Sequence, residues 1–141
     1  MKHGLQDLIT LRGVNTGFHV EHILSRNDES LVVFDGDEDR LEVERNRFGA
    51  VLLPKGKHNI SSGNERYTDK LKSYANTLYW NETLRKDTYH SKLDFRDFAE
   101  EHHLSFRALD RFGPDELDER QKLLFDLSAL IWRTPGTSAP Q

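Results

Sequence analysis

Apolar residues fall at near-helical spacing from Leu5 to Leu11 and stop at Gly13, which predicts a short first helix. After Gly17 the period changes. Phe18, Val20 and His22 alternate with His19, Glu21 and Ile23, as on the two faces of a strand running to Leu24. Asp28 to Gly36 predicts a loop around a brief apolar run, Leu31 to Phe34. Asp37 to Arg47 predicts a helix, with acids in its first turn and arginines in its last, as the helix dipole favours. Gly49 to Leu53 predicts a short strand, stopped by Pro54. Lys55 to Gly63 is a polar loop. Asn64 or a neighbour then caps a helix running to about Tyr74, with Tyr67, Leu71 and Tyr74 along one face.

Beyond Tyr74 the pattern is helical. Asp94 to His102 predicts a helix carrying Phe95 and Phe98. Gly113-Pro114 opens the last helix, with proline at a tolerated first-turn position and Asp115 and Glu116 behind it. Leu117, Leu124, Leu127 and Ile131 form its core-facing stripe, and Trp132 ends it. Residues 134–141 are expected to fray. No repeat, low-complexity tract or internal boundary appears, so residues 1–133 are read as a single domain.

At 141 residues the chain is long enough for one core, and no apolar run is long enough to span a bilayer. It has no cysteine, which excludes disulfides and thiolate zinc sites and fits a reducing cytoplasm. The net charge of −4 argues against a nucleic-acid binder, but its distribution argues for one. Asp28 to Glu44 holds eight acids and one base, whereas Arg45 to Lys72 holds seven bases and two acids. A local basic field matters more to a polyanion than the total, although most charge runs are ordinary solvated faces.

The chemistry concentrates in Glu21-His22 and in Asn59, which follows a basic loop. A carboxylate and a carboxamide oxygen are hard donors suited to Mg²⁺ or Mn²⁺. An imidazole accepts a proton from water near neutral pH. Strict strand alternation would send Glu21 and His22 to opposite faces, so both serve one site only if the strand ends or bends there. The competing readings are a structural histidine at 22 and a turn-forming asparagine at 59. Asn64 is as good a cap as a site residue, and His58 is a second possible ligand. His19 is expected to point away from His22, and His102-His103 to be an exposed helix end. Tyr79, Trp80 and Tyr89, mixed with Arg85 and Lys86, are of a type that stacks bases, but packing between helices is the default.

The layout from Phe18 to Tyr74 resembles the ββα-metal core of HNH (His-Me finger) nucleases. There an acid followed by histidine ends the first strand and an asparagine sits near the helix start. The likeness narrows to one subgroup. Val20-Glu21-His22-Ile23-Leu24, then Arg45-Asn46-Arg47-Phe48-Gly49-Ala50-Val51-Leu52-Leu53-Pro54, then Asn59 and Asn64 ahead of Tyr67 and Lys70, resembles the C-terminal domain of GmrSD-type modification-dependent restriction proteins. The closing segment from Glu119-Arg120-Gln121 to Ile131-Trp132 resembles that family's end. Two positions depart from the family pattern: Ser25 replaces a usual proline, and Ala50 replaces an asparagine that follows the glycine in many members. A residue near the latter position orients the general base in HNH nucleases, and Asn46 is a possible substitute on the other side of the glycine.

The resemblance implies an α+β fold, with a ββα-metal core over about residues 18–75 and packed helices over 76–133. It implies an endonuclease in which His22 is the general base and Glu21 and Asn59 hold one Mg²⁺ or Mn²⁺. Lys55, Lys57, Lys70 and Arg47 are expected to hold DNA phosphates. It further implies DNA as partner and an upstream NTPase sensor domain in a larger cytoplasmic defence protein. The alternatives are an inactive DNA-binding module on the same fold, motivated by Ser25 and Ala50, and a helical protein-interaction domain, motivated by the acidic balance.

Overall fold

A computed structural model describes residues 18–54 and 64–133. The expected first helix, the Lys55–Gly63 loop and the tail lie outside the described residues, and so do Lys55, Lys57, His58 and Asn59. The described fold is α+β, mostly helical, around one two-stranded sheet.

Strand β1 (Glu21–His22) pairs antiparallel with β2 (Val51–Leu52), Glu21 opposite Leu52 and His22 opposite Val51. The strand predicted from Phe18 to Leu24 is therefore much shorter. Its period does not continue past His22, because Ile23 and Leu24 are both 2% exposed. The chain bends there and sends both side chains into the core, joining Phe34, Leu52, Tyr74, Leu84 and Leu117. The bend is held by polar groups from elsewhere. Ile23 N donates to Ala50 O (2.9 Å), Lys70 Nζ to His22 O (2.6 Å) and Arg45 Nε to Leu24 O (3.1 Å).

The segment read as a loop after Asp28 is a helix, α1 (Asp28–Val33). Asn27 makes it one: its side chain accepts from Ser30 N (2.9 Å), and Asp28 and Glu29 fill the first turn. Left-handed Asp35 (φ 58°) and Gly36 (φ 77°) follow its end. Helix α2 (Glu38–Glu44) is capped by Asp37, whose carboxylate accepts from Arg40 N (2.9 Å). It ends before Arg45 and Arg47, so the arginines expected in its last turn lie beyond it.

A single 3₁₀ turn (Phe48–Ala50) replaces the first half of the predicted second strand. The neighbour explains it. A Cβ on Gly49 would lie 2.7 Å from Gln121 N, so the turn is pressed against the long helix α7 (Pro114–Ile131). Gln121 seals the contact by accepting from Gly49 N at 2.7 Å. The outer edge of β2 is met by side chains of α4 (Tyr79–Glu82): Asn81 exchanges hydrogen bonds with the Leu53 backbone (3.3 and 3.4 Å), and Trp80 Nε1 donates to Val51 O (3.4 Å).

Helix α3 (Tyr67–Ser73) carries the expected Tyr67 and Tyr74 face into the core. Asn64 is not its cap. The Glu29 carboxylate accepts from Tyr67 N (3.0 Å), so α1 caps α3 across 38 residues of sequence. Helices α5 (Lys86–Ser91) and α6 (Leu93–Glu101) follow. The buried residues of α7 are Glu116, Leu117, Arg120 and Leu123; of the predicted stripe Leu117 is buried, Leu124 and Leu127 are half-buried and Ile131 is exposed, so the stripe fades toward the end of the helix. Arg120 is buried with its guanidinium 3.8 Å from the Trp80 ring centre. It donates to Trp80 O (3.1 Å) and Thr83 Oγ1 (3.2 Å), tying α7 to α4. Phe95 packs against Tyr79, Tyr89 and Phe106, so that aromatic stretch joins helices.

Candidate active site

The shortness of β1 gives Glu21 and His22 different surroundings. Glu21 is 6% exposed and points to α3, where its Oε1 lies 2.9 Å from Lys70 Nζ. Burial pushes up the nearby Tyr74 hydroxyl, and the Glu21 carboxylate adds to the effect. His22 is half-buried on the other side and meets the residues after α2: its Nε2 lies 2.9 Å from Asn46 Oδ1.

That contact fixes the protonation of the ring. Asn46 Nδ2 donates to Glu42 O (2.7 Å), and a carbonyl oxygen can only accept, so the amide nitrogen must face Glu42 and the oxygen must face His22. An amide oxygen also only accepts. His22 Nε2 therefore carries hydrogen, and in the neutral ring the lone pair is on Nδ1. Burial holds the imidazole below the usual histidine range. The cations Arg45 and Lys70 act in the same direction, while Asn46 and Glu21 act against it. A neutral ring with a defined basic nitrogen is what proton abstraction from water requires.

The two departures from the family pattern now have structural counterparts. Ser25, 2% exposed, donates from its hydroxyl to Glu65 O (2.9 Å) and so ties the end of the bend to the approach to α3. Ala50 is fully buried under the sheet, and its carbonyl accepts from Ile23 N. The residue holding the imidazole is Asn46, four residues earlier in the chain than Ala50.

Other expected site residues sit elsewhere. The side chain of Lys70, expected at a DNA phosphate, is 2% exposed and paired with Glu21. An ammonium so enclosed does not reach a backbone phosphate, so that assignment is corrected. Arg47 is also committed: it pairs with Glu44 (2.7 Å) and Asp118 (2.8 Å), clamping the 3₁₀ turn to α7, and a phosphate would have to displace both. The Asn64 carbonyl accepts from Asn27 Nδ2 (3.2 Å), a contact that braces α1.

Among the described residues no three His, Cys, Asp or Glu side chains come together as a metal site. Near His22 they bring the Asn46 amide oxygen, already bonded to the ring, and the neighbouring Glu21 carboxylate, already balanced by an ammonium. This partial set suits only an ion that keeps most of its water, as Mg²⁺ does. Sequence reasoning missed the buried cations. Arg45 and Lys70 look like parts of a basic surface in the sequence, and their helical positions alone did not mark them as inward. It also missed Glu29 as the cap of α3, a pairing that only the tertiary fold creates.

A short strand in a small α+β domain thus presents an amide-oriented imidazole on one side and a buried, ion-paired carboxylate on the other. Comparison with known families gives the class: the model for GmrSD restriction endonucleases, C-terminal domain, matches residues 3–127, and the chain belongs to that family. It is thus a domain of the restriction-nuclease class, for which DNA is the expected substrate. No curated protein and no solved structure matched it.

Proposed function

We propose that this domain hydrolyses phosphodiester bonds in DNA, with His22 as general base on a ββα-metal (His-Me finger) core formed by β1, β2 and α3. The observation that carries this reading is the Asn46–His22 contact, which leaves Nδ1 as the basic nitrogen in a member of a restriction-endonuclease family. Nδ1 takes the proton of a water as its oxygen bonds to phosphorus, the bond from phosphorus to the leaving sugar oxygen breaks and that oxygen takes a proton from solvent, and the charge that develops on the ring is shared with the Asn46 oxygen. A divalent cation, Mg²⁺ or Mn²⁺, held by Glu21 and Asn59 would neutralise charge on the phosphate. Lys55 and Lys57 hold flanking phosphates. In this reading an upstream NTPase domain of a larger cytoplasmic protein delivers the DNA. Among the described residues no helix is long and apolar enough to cross a membrane.

The test is supercoiled plasmid incubated with the protein and Mg²⁺ or Mn²⁺, beside a His22→Ala control. Nicking that disappears in the variant supports the enzyme. Equal DNA retention by both proteins, without nicking, points instead to a binding module.

A further inference from the structure

We infer that the outer face at the end of α7 is where a second copy of this chain seats, the two helices antiparallel across a two-fold axis between Ser128 and Ala129. From Leu123 to Trp132, the end of α7 and its cap, eight of ten residues are apolar and one is charged. A helix that is apolar all round belongs in an interior. Yet no residue of this stretch after Leu123 is buried. One side has a neighbour: Leu127 lines an aromatic groove with Tyr79 and Phe95. The opposite side is open, with Phe125 74% and Trp132 75% exposed. Gln121, Phe125, Ser128 and Trp132 are spaced as one helical stripe. Gln121 bonds Gly49, so Phe48, 73% exposed, extends the patch at its start. Single apolar residues on a surface need no cause, but three large rings on one face do.

The stripe complements itself. An axis between Ser128 and Ala129 sets Phe125 of each copy opposite Trp132 of the other, and the small residues at the crossing let the helices come close. Arg133 of each copy falls within one helical turn of the other's Asp126, so the one charged residue of the stretch meets its opposite. Asp126 also accepts from Lys122 of its own helix at 2.7 Å, which leaves no row of like charges to repel across the face. The area suffices for a weak pair. Three such rings bring roughly 350–550 Å² per copy, against about 500 Å² per partner for the smallest specific interfaces. Aromatic side chains at the centre of a patch are also the usual anchors of such contacts. The pairing stands apart from the nuclease reading; under that reading it joins two His22 centres, one for each strand of a duplex.

The test is sedimentation velocity of the full chain across a concentration series. It should show reversible monomer and dimer, with a dissociation constant on the order of 10 µM. Phe125→Ser together with Trp132→Ser should weaken the dimer by about tenfold or more, with circular dichroism unchanged because both side chains are exposed. A wild-type chain that stays monomeric up to about 1 mM overturns the pairing, and leaves the face to a different polypeptide. A dimer that both substitutions leave intact uses another face and overturns it too. Open-ended growth beyond a dimer means a head-to-tail contact and also overturns it. The axis is tested separately, in a chain that has no cysteine of its own. Ala129→Cys should form a disulfide-linked dimer under mild oxidation, well ahead of Val32→Cys, which is 74% exposed on α1. Equal rates in the two overturn the two-fold arrangement. Should the serine variants fail to fold, this cross-link, made in an otherwise unaltered chain, decides alone.

Discussion

Asn46 offers its amide oxygen to His22 Nε2 at 2.9 Å while its nitrogen is spent on the Glu42 carbonyl at 2.7 Å. The end of α2 thereby dictates which nitrogen of a histidine 24 residues away is basic. Asn46→Ala should lower kcat by about 10–100-fold with little change in KM, and cost about 1 kcal/mol of stability for the lost hydrogen bonds. Asn46→Asp should restore much of the rate, because a carboxylate also accepts from Nε2–H. Wild-type kcat in Asn46→Ala would remove this residue from the mechanism.

The pH dependence follows from the direction of the His22 shift. The ring is held below the ordinary value of 6.5, and the base form is the active one. The rate should be level through neutrality and fall only on the acid side, with its half-point below 6.5. Stability has the same sign. Between the lowered folded value and the unfolded value the unfolded chain binds more protons, so this contribution is fully present above 6.5 and is lost as the pH falls through the folded value. A rate profile with its acid half-point above 6.5 would contradict the buried, neutral imidazole.

Phosphate contacts should divide by exposure. Lys55→Ala and Lys57→Ala are each expected to weaken DNA binding and to reduce the slope of log affinity against log salt by about 0.7–0.9. His22→Ala, whose ring is neutral, should leave that slope alone. Filter binding across a salt series reads both, and unchanged slopes in the lysine variants would remove the loop from the DNA interface.

Gly49→Ala tests the seam between the 3₁₀ turn and α7. The added carbon meets backbone, 2.7 Å from Gln121 N, where no rotamer change relieves it. Denaturant unfolding should show a loss of about 1–3 kcal/mol. An unchanged midpoint would mean that the turn and helix separate without strain.

Glu29→Gln tests the cap that α1 supplies to α3. Replacing the carboxylate that accepts from Tyr67 N weakens both the hydrogen bond and the charge at the helix start, for about 1 kcal/mol. Because α3 carries Lys70, amide exchange near the α3 start should quicken in step with the loss. Exchange unchanged there would assign the cap to another group.

Elements with local causes were legible in the sequence. The last helix reads directly from Gly113-Pro114 and its acids, and α2 reads from Asp37 and the acids behind it. Helix α1 is too short for its apolar run to show a helical period, and its only local start signal is Asn27 followed by two acids. The Glu21-His22 pair was legible as chemistry and its separation onto two sides followed from the strand period. Its stabilisation was not legible. Lys70, Arg45 and Ser25 act across 21 to 48 residues of chain, and nothing in their own neighbourhoods marks them as inward. Asn46 was within view, but its position before the glycine hid the turn that brings it to the imidazole.

A sheet of two residues per strand, its strands joined through two helices, has a very short ladder of its own to melt. Its integrity is delegated to helices: α3 through Lys70, α4 through Trp80 and Asn81, and α7 through Gln121. Loosening any one of these supports is therefore felt at the dipeptide in the centre, although none of the helices that provide them belongs to the sheet.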